Sequence, residues 1–89
     1  MTEKRIRPFA LTLFDVEEEV IRARTKFPGN RFLLAALMEE VGELAQAILQ
    51  NQGVGRVRHE ATQVACVAIR IFEEGDASFA DITAEESKP

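Results

Sequence analysis

Acidic side chains set into apolar helix are the residues of this chain best able to do chemistry. In Leu37-Met38-Glu39-Glu40-Val41-Gly42-Glu43-Leu44-Ala45 three glutamates interrupt an apolar run, and Glu60 follows among Val57, Val64 and Val67. Burying a carboxylate is costly unless a cation or hydrogen-bond donors meet it. Acids on two neighbouring helices cannot neutralise one another, so a divalent cation is their natural partner. Glu40 and Glu43 stand at i, i+3, as do Glu60 and Gln63, so each pair projects from one helix surface. Antiparallel packing through a short Gly-containing loop faces the pairs toward each other. The result is an all-oxygen pocket of Glu40, Glu43, Glu60 and the Gln63 side-chain carbonyl. Hard oxygen donors select Mg²⁺ or Mn²⁺, and a chain with one His and one Cys has no zinc cluster. Such a Mg²⁺ keeps waters and grips phosphate, which makes phosphoryl chemistry its leading use. Glu39 points further from the core and is the candidate for orienting or deprotonating water. Lys26 and Arg56, near helix ends, are candidate phosphate contacts, although charges in such places are more often simply solvated.

The elements that must position these groups are helices. Alternation is absent, and the Ala, Leu and Glu content disfavours strands. The first helix is predicted from about Thr12 to Lys26, with Thr12 as cap and Asp15 in capping-box position. Phe27-Pro28-Gly29-Asn30 breaks it, and Asn30 is the expected cap of a second helix from about Arg31 to Asn51. Gly53 and Gly55 end that helix, and a third is predicted from Arg56 to Glu74, closed by Gly75-Asp76. Residues 1–10 and 79–89 read as flexible tails of a single domain spanning 1–89.

At ~100° per residue, Leu34, Leu37, Val41, Leu44 and Ile48 share the expected core face of the second helix, with Glu40 about 80° from its centre. Val57, Ala61, Val64, Ala68, Ile71 and Phe72 form that of the third, with Glu60 only ~40° off centre. His59 and Cys66 fall off that face, and Glu17-Glu18-Glu19 reads as a solvated first turn. The expected fold class is all-α, three main helices in an antiparallel bundle. Both long helices carry more apolar surface than one such chain can cover, so oligomerisation is expected to complete the bundle.

Composition narrows the function further. A chain of 89 residues with 46% hydrophobic content is one ordered domain. A net charge of −4 argues against binding a nucleic-acid backbone but permits a nucleotide whose charge is offset by metal. No apolar run spans a membrane and no signal peptide follows Met1. The single Cys66 cannot form an internal disulfide, which fits a reducing compartment. A cytoplasmic protein without nucleic-acid or membrane partners is expected.

Glu39-Glu40-x-x-Glu43, followed by Glu60 and a ligand position three residues later, resembles the all-α nucleoside triphosphate pyrophosphohydrolases of MazG type. The likeness runs from about Leu33 to Ile71 and is strongest over Glu39-Glu40-Val41-Gly42-Glu43-Leu44-Ala45. It implies Mg²⁺-dependent hydrolysis of (deoxy)nucleoside triphosphates to monophosphate and pyrophosphate, with nucleotide-pool housecleaning as the cellular role. It also implies homodimers or homotetramers, with Glu40, Glu43 and Glu60 as metal ligands. Glu39 would serve a further ion or the nucleophilic water. The family pattern ends in Asp where this chain has Gln63, which removes one negative charge. Two alternatives stay open: a catalytically weakened nucleotide- or metal-binding homologue, and a helical dimerisation module whose acids pair with arginines between chains.

Overall fold

The computed structural model describes residues 6–79 and is all-helical there: α1 (Phe9–Lys26), α2 (Leu33–Leu49), α3 (Val54–Glu74) and a short 3₁₀ turn, Ala77–Phe79. Three helices were expected, but their starts differ. Proline fixes φ near the helical value and its missing N–H is no loss in a first turn. Pro8 therefore opens α1, its carbonyl accepting the Leu11 and Thr12 amides at 3.0 and 3.3 Å. Thr12 is thus inside the helix and not its cap, and Asp15 pairs with Arg7 at 2.8 Å. Phe9 and Ala10 belong to α1 and Phe79 to the 3₁₀ turn, so the expected tails are shorter; residues 1–5 and 80–89 lie outside the described part.

The α2 start shows why a local cap was the wrong expectation. Phe32 sits in the left-handed region at φ 62°, and the free amides of the first turn meet Asp76, which is distant in sequence. Its carboxylate accepts from the Phe32 amide at 3.1 Å and the Leu34 amide at 2.7 Å. Asn30 instead donates to the Glu74 carbonyl at 2.5 Å, and its own carbonyl accepts from the Ala77 amide at 3.0 Å. Arg70, 4% exposed, completes this clasp, donating to the carbonyls of Phe27 at 3.1 Å and Gly29 at 2.7 Å and to the Glu74 carboxylate. Arg24 reaches Glu74 at 2.6 Å and also pairs with Glu73. The α1–α2 turn is thereby tied to the C-terminal end of α3. Consecutive helices run antiparallel, which leaves α1 parallel to α3.

α3 is the central element, packing against both α1 and α2, which do not pack on each other. Val16 and Val20 of α1 bury against Cys66, with Ala23, Ala65 and Ile69 around them. Cys66, expected off the core face, is 1% exposed because α1 covers a flank of α3 that its apolar count alone does not mark. Burial raises the thiol pKa, which keeps it protonated and unreactive.

The face of α2 that meets α3 is also not the expected one. Leu33 and Ala47 are buried, and Ala36, Leu37, Glu40 and Leu44 are half-buried, whereas Leu34, Val41 and Ile48 are exposed. These positions centre the contact on Glu40, about 80° round the wheel from the most apolar stripe. On α3, Ala61, Ala68 and Phe72 are likewise exposed. Part of the apolar surface of both helices is thus left open on the single chain, Val57, Val64 and Ile71 of α3 staying half-buried, while Glu40 and Glu60 are turned inward.

Candidate metal centre

The rotation of α2 builds the site. Small Ala36 and Ala47 let the helix approach α3 on the side where Glu40 and Glu43 project, and Glu60 meets them from α3. One carboxylate oxygen from each of Glu40, Glu43 and Glu60 lies within 4.8 Å of the others. The three differ in environment: Glu60 is 2% exposed, Glu40 half-buried and Glu43 open to solvent. A graded set of this kind closes on one side and leaves the other to water and ligand.

Polar satisfaction in the cluster is incomplete, although Glu60 Oε2 has an ion-pair partner in Arg56. Glu40 Oε1 and Glu60 Oε1 are buried and have no hydrogen-bond partner. Orphaned carboxylate oxygens carry their full desolvation cost, and nearly all buried polar atoms in folded proteins avoid it. Loss of water on burial, after it the charges of Glu43, Glu60 and Glu39, and last a side-chain hydrogen bond with Glu60 push the Glu40 carboxyl above its ordinary range. A bare cluster therefore repels itself, and a cation placed among these oxygens removes the repulsion and satisfies the orphans together. The donor set fits a hard divalent cation: all oxygen, anionic, on two packed helices, with an open side for water.

The other sequence-predicted residues lie at different distances from this centre. Glu39 is exposed on α2 and close enough for its charge to act on Glu40. Arg56 Nη2 stands 3.1 Å from Glu60 Oε2, one helical turn before it. Gln63 is half-buried and borders the groove between α1 and α3 together with Thr12, Glu19 and His59. Lys26 is not brought to the site. It ends the stretch of α1 that Arg24 ties to Glu73 and Glu74, about 20 Å along α3 from Glu60, and its ammonium stands 5.5 Å from the Phe27 ring centroid.

Two groups that organise the site's frame escaped the sequence pattern. Asp76 and Arg70 look like a helix-stop residue and a surface charge, because the contacts that tie them to the α1–α2 turn and the α2 start reach more than 40 positions away. The Arg56–Glu60 pair has an i, i+4 spacing that could have found it, but the sequence reading took Arg56 only as a candidate phosphate contact. No helix of the described residues is long and apolar enough to cross a membrane. No protein-family model, curated protein or solved structure matches this chain.

Proposed function

We propose that the protein is a Mg²⁺-dependent hydrolase that cleaves the α–β phosphoanhydride of (deoxy)nucleoside triphosphates, releasing monophosphate and pyrophosphate. The observation that carries this reading is the convergence of Glu40, Glu43 and Glu60, two of which carry a buried carboxylate oxygen without a hydrogen-bond partner. The likeness of Glu39-Glu40-Val41-Gly42-Glu43 to the MazG-type motif supplies the reaction. Bound Mg²⁺, with Mn²⁺ as a substitute, offers charge neutralisation for the polyphosphate and polarisation of the attacked phosphorus.

The chain's own residues have separable tasks. Glu60, walled in by α2 and α3, fixes the position of the cation, and Glu40 and Glu43 complete its anionic ligands. Glu39 faces solvent beside this group and accepts the proton of the attacking water. Gln63 contributes no charge, and its position at the α1–α3 groove favours a second reading in which the site binds metal and nucleotide with little turnover. The open apolar stripe Leu34, Met38, Val41 and Ile48 supports association with a second copy as homodimer or homotetramer, with a cytoplasmic nucleotide as substrate.

A panel of nucleoside triphosphates incubated with Mg²⁺ or Mn²⁺ tests the reading, with monophosphate and pyrophosphate both measured. Equal amounts of the two products, abolished in Glu60→Gln, are expected. Metal and nucleotide binding without product identifies the second reading, and no binding of either overturns both.

A further inference from the structure

We propose that Arg56 is a displaceable counterion: its guanidinium holds Glu60 while no divalent cation is bound, and turns to the substrate's phosphate oxygens when a cation takes Glu60. The inference rests on the metal-site reading above and adds to it an order of events and a residue that couples metal to anion. Among the described ion pairs, Arg56–Glu60, at 3.1 Å, is the one that involves an acid of the cluster.

Its two partners are unequally fixed. The Glu60 side chain is 3% exposed and the Arg56 side chain 55% exposed. Glu60 has nowhere to go, whereas Arg56 lies on a wet, flexible stem in the first turn of α3. A dication and a guanidinium against one carboxylate repel each other at short range. When a cation binds through Glu40, Glu43 and Glu60, the arginine is therefore the group that moves.

The released fork of N–H donors matches phosphate oxygens in a way a point charge does not. The place it is released into also favours an anion. α3 starts at Val54 with no side-chain cap on its first amides, about 9 Å along the axis from Glu60, and a helix start carries partial positive charge. Metal loading thus converts Arg56 from a partner of the protein into a partner of the polyphosphate. In the metal-free site the Arg56 Nη2 that faces Glu60 is taken up by that carboxylate and is not offered to the anion.

The test measures Mn²⁺ binding to the full chain by titration calorimetry, for the wild type, Arg56→Gln, Arg56→Lys and Glu60→Gln. It then measures binding of inorganic triphosphate to the metal-loaded forms. Loss of the competing arginine makes Arg56→Gln bind Mn²⁺ about fivefold more tightly, the scale of a partly exposed ion pair, and bind triphosphate about tenfold more weakly. Arg56→Lys keeps the charge, so its Mn²⁺ affinity stays near wild type while its triphosphate affinity still falls. A purely structural arginine would lower both affinities together. Unchanged or weaker Mn²⁺ binding in a folded Arg56→Gln overturns the counterion role, and unchanged triphosphate binding overturns the hand-over. Wild-type protein that binds no Mn²⁺, or a Glu60→Gln variant that binds it equally well, overturns the site reading itself.

Discussion

Replacing Glu60 by Gln separates the cost of the bare acid cluster from the benefit of the cation it is built for. Without metal, Glu60 is a buried carboxylate with one orphaned oxygen and one oxygen on Arg56. The amide removes the charge repulsion with Glu40 and forfeits an ion pair worth about 0.3–1 kcal/mol. Breaking even, or a gain of up to about 1 kcal/mol, is expected for the metal-free variant. With metal the ranking reverses. A cation at a hundred times its Kd stabilises the wild type by about 2.7 kcal/mol, or roughly 10–20 °C in Tm for a domain of this size. Losing even an outer-shell partner costs about 10–100-fold in affinity; a hundredfold loss for this charged ligand leaves the variant only about 0.4 kcal/mol of metal stabilisation at the same concentration. Thermal unfolding followed by circular dichroism, with and without Mg²⁺, reads both quantities. Because Glu40 titrates higher in the folded protein than in the unfolded chain, the metal-free fold weakens as pH rises through that interval. The Mg²⁺ increment grows over the same interval. A Glu60→Gln protein that keeps the full Mg²⁺ increment, or a wild type that shows none at saturating metal, would refute the reasoning.

Four further outcomes follow from the same structure. Gln63→Asp places a fourth carboxylate one turn along α3 from Glu60 and should raise Mg²⁺ affinity three- to tenfold, on the order of 1 kcal/mol; an unchanged titration means the side chain stays in the α1 groove. Asp76 accepts from Ser78, Leu34 and Phe32, which holds its carboxyl down at about 2. Its stabilisation is fully present above the ordinary aspartate range and is lost as pH falls toward 2, so acid unfolding of Asp76→Asn should lack that component. Arg70→Met leaves the Phe27 and Gly29 carbonyls and Glu74 short of a donor, and urea unfolding should show a loss of about 2–4 kcal/mol. Val41→Asp puts a charge on the open stripe of α2, and sedimentation should show a smaller species than the wild type if that stripe joins two copies.

Helix existence and type were legible because α1, α2 and α3 each carry long apolar periodicity, and Gly, Pro and Asn mark the turns between them. Helix orientation was not. A wheel drawn on α2 finds the most apolar stripe and assigns it to the core, but the single chain turns the Ala36–Glu40–Ala47 side to α3. Leu34, Val41 and Ile48 stay outside. Small residues, which permit close approach, outweighed hydrophobic area in setting that face. The acid cluster itself was readable because Glu60, a carboxylate, sits within the apolar face of its own helix and so violates that helix's pattern. Cys66, Arg70 and Asp76 were not readable, because their roles depend on α1 and on the α1–α2 turn meeting the far end of α3. Lys26 shows the converse: its position at a helix end says nothing about which end of the molecule holds the site.

The most direct measurement of the central claim is the anomalous scattering of Mn²⁺ in crystals of the full chain. A peak in contact with carboxylate oxygens of Glu40, Glu43 and Glu60 together, at about 2.0–2.3 Å, with Arg56 turned away from Glu60, is the predicted result. A peak elsewhere, or none at saturating Mn²⁺ with Arg56 still against Glu60, would contradict it.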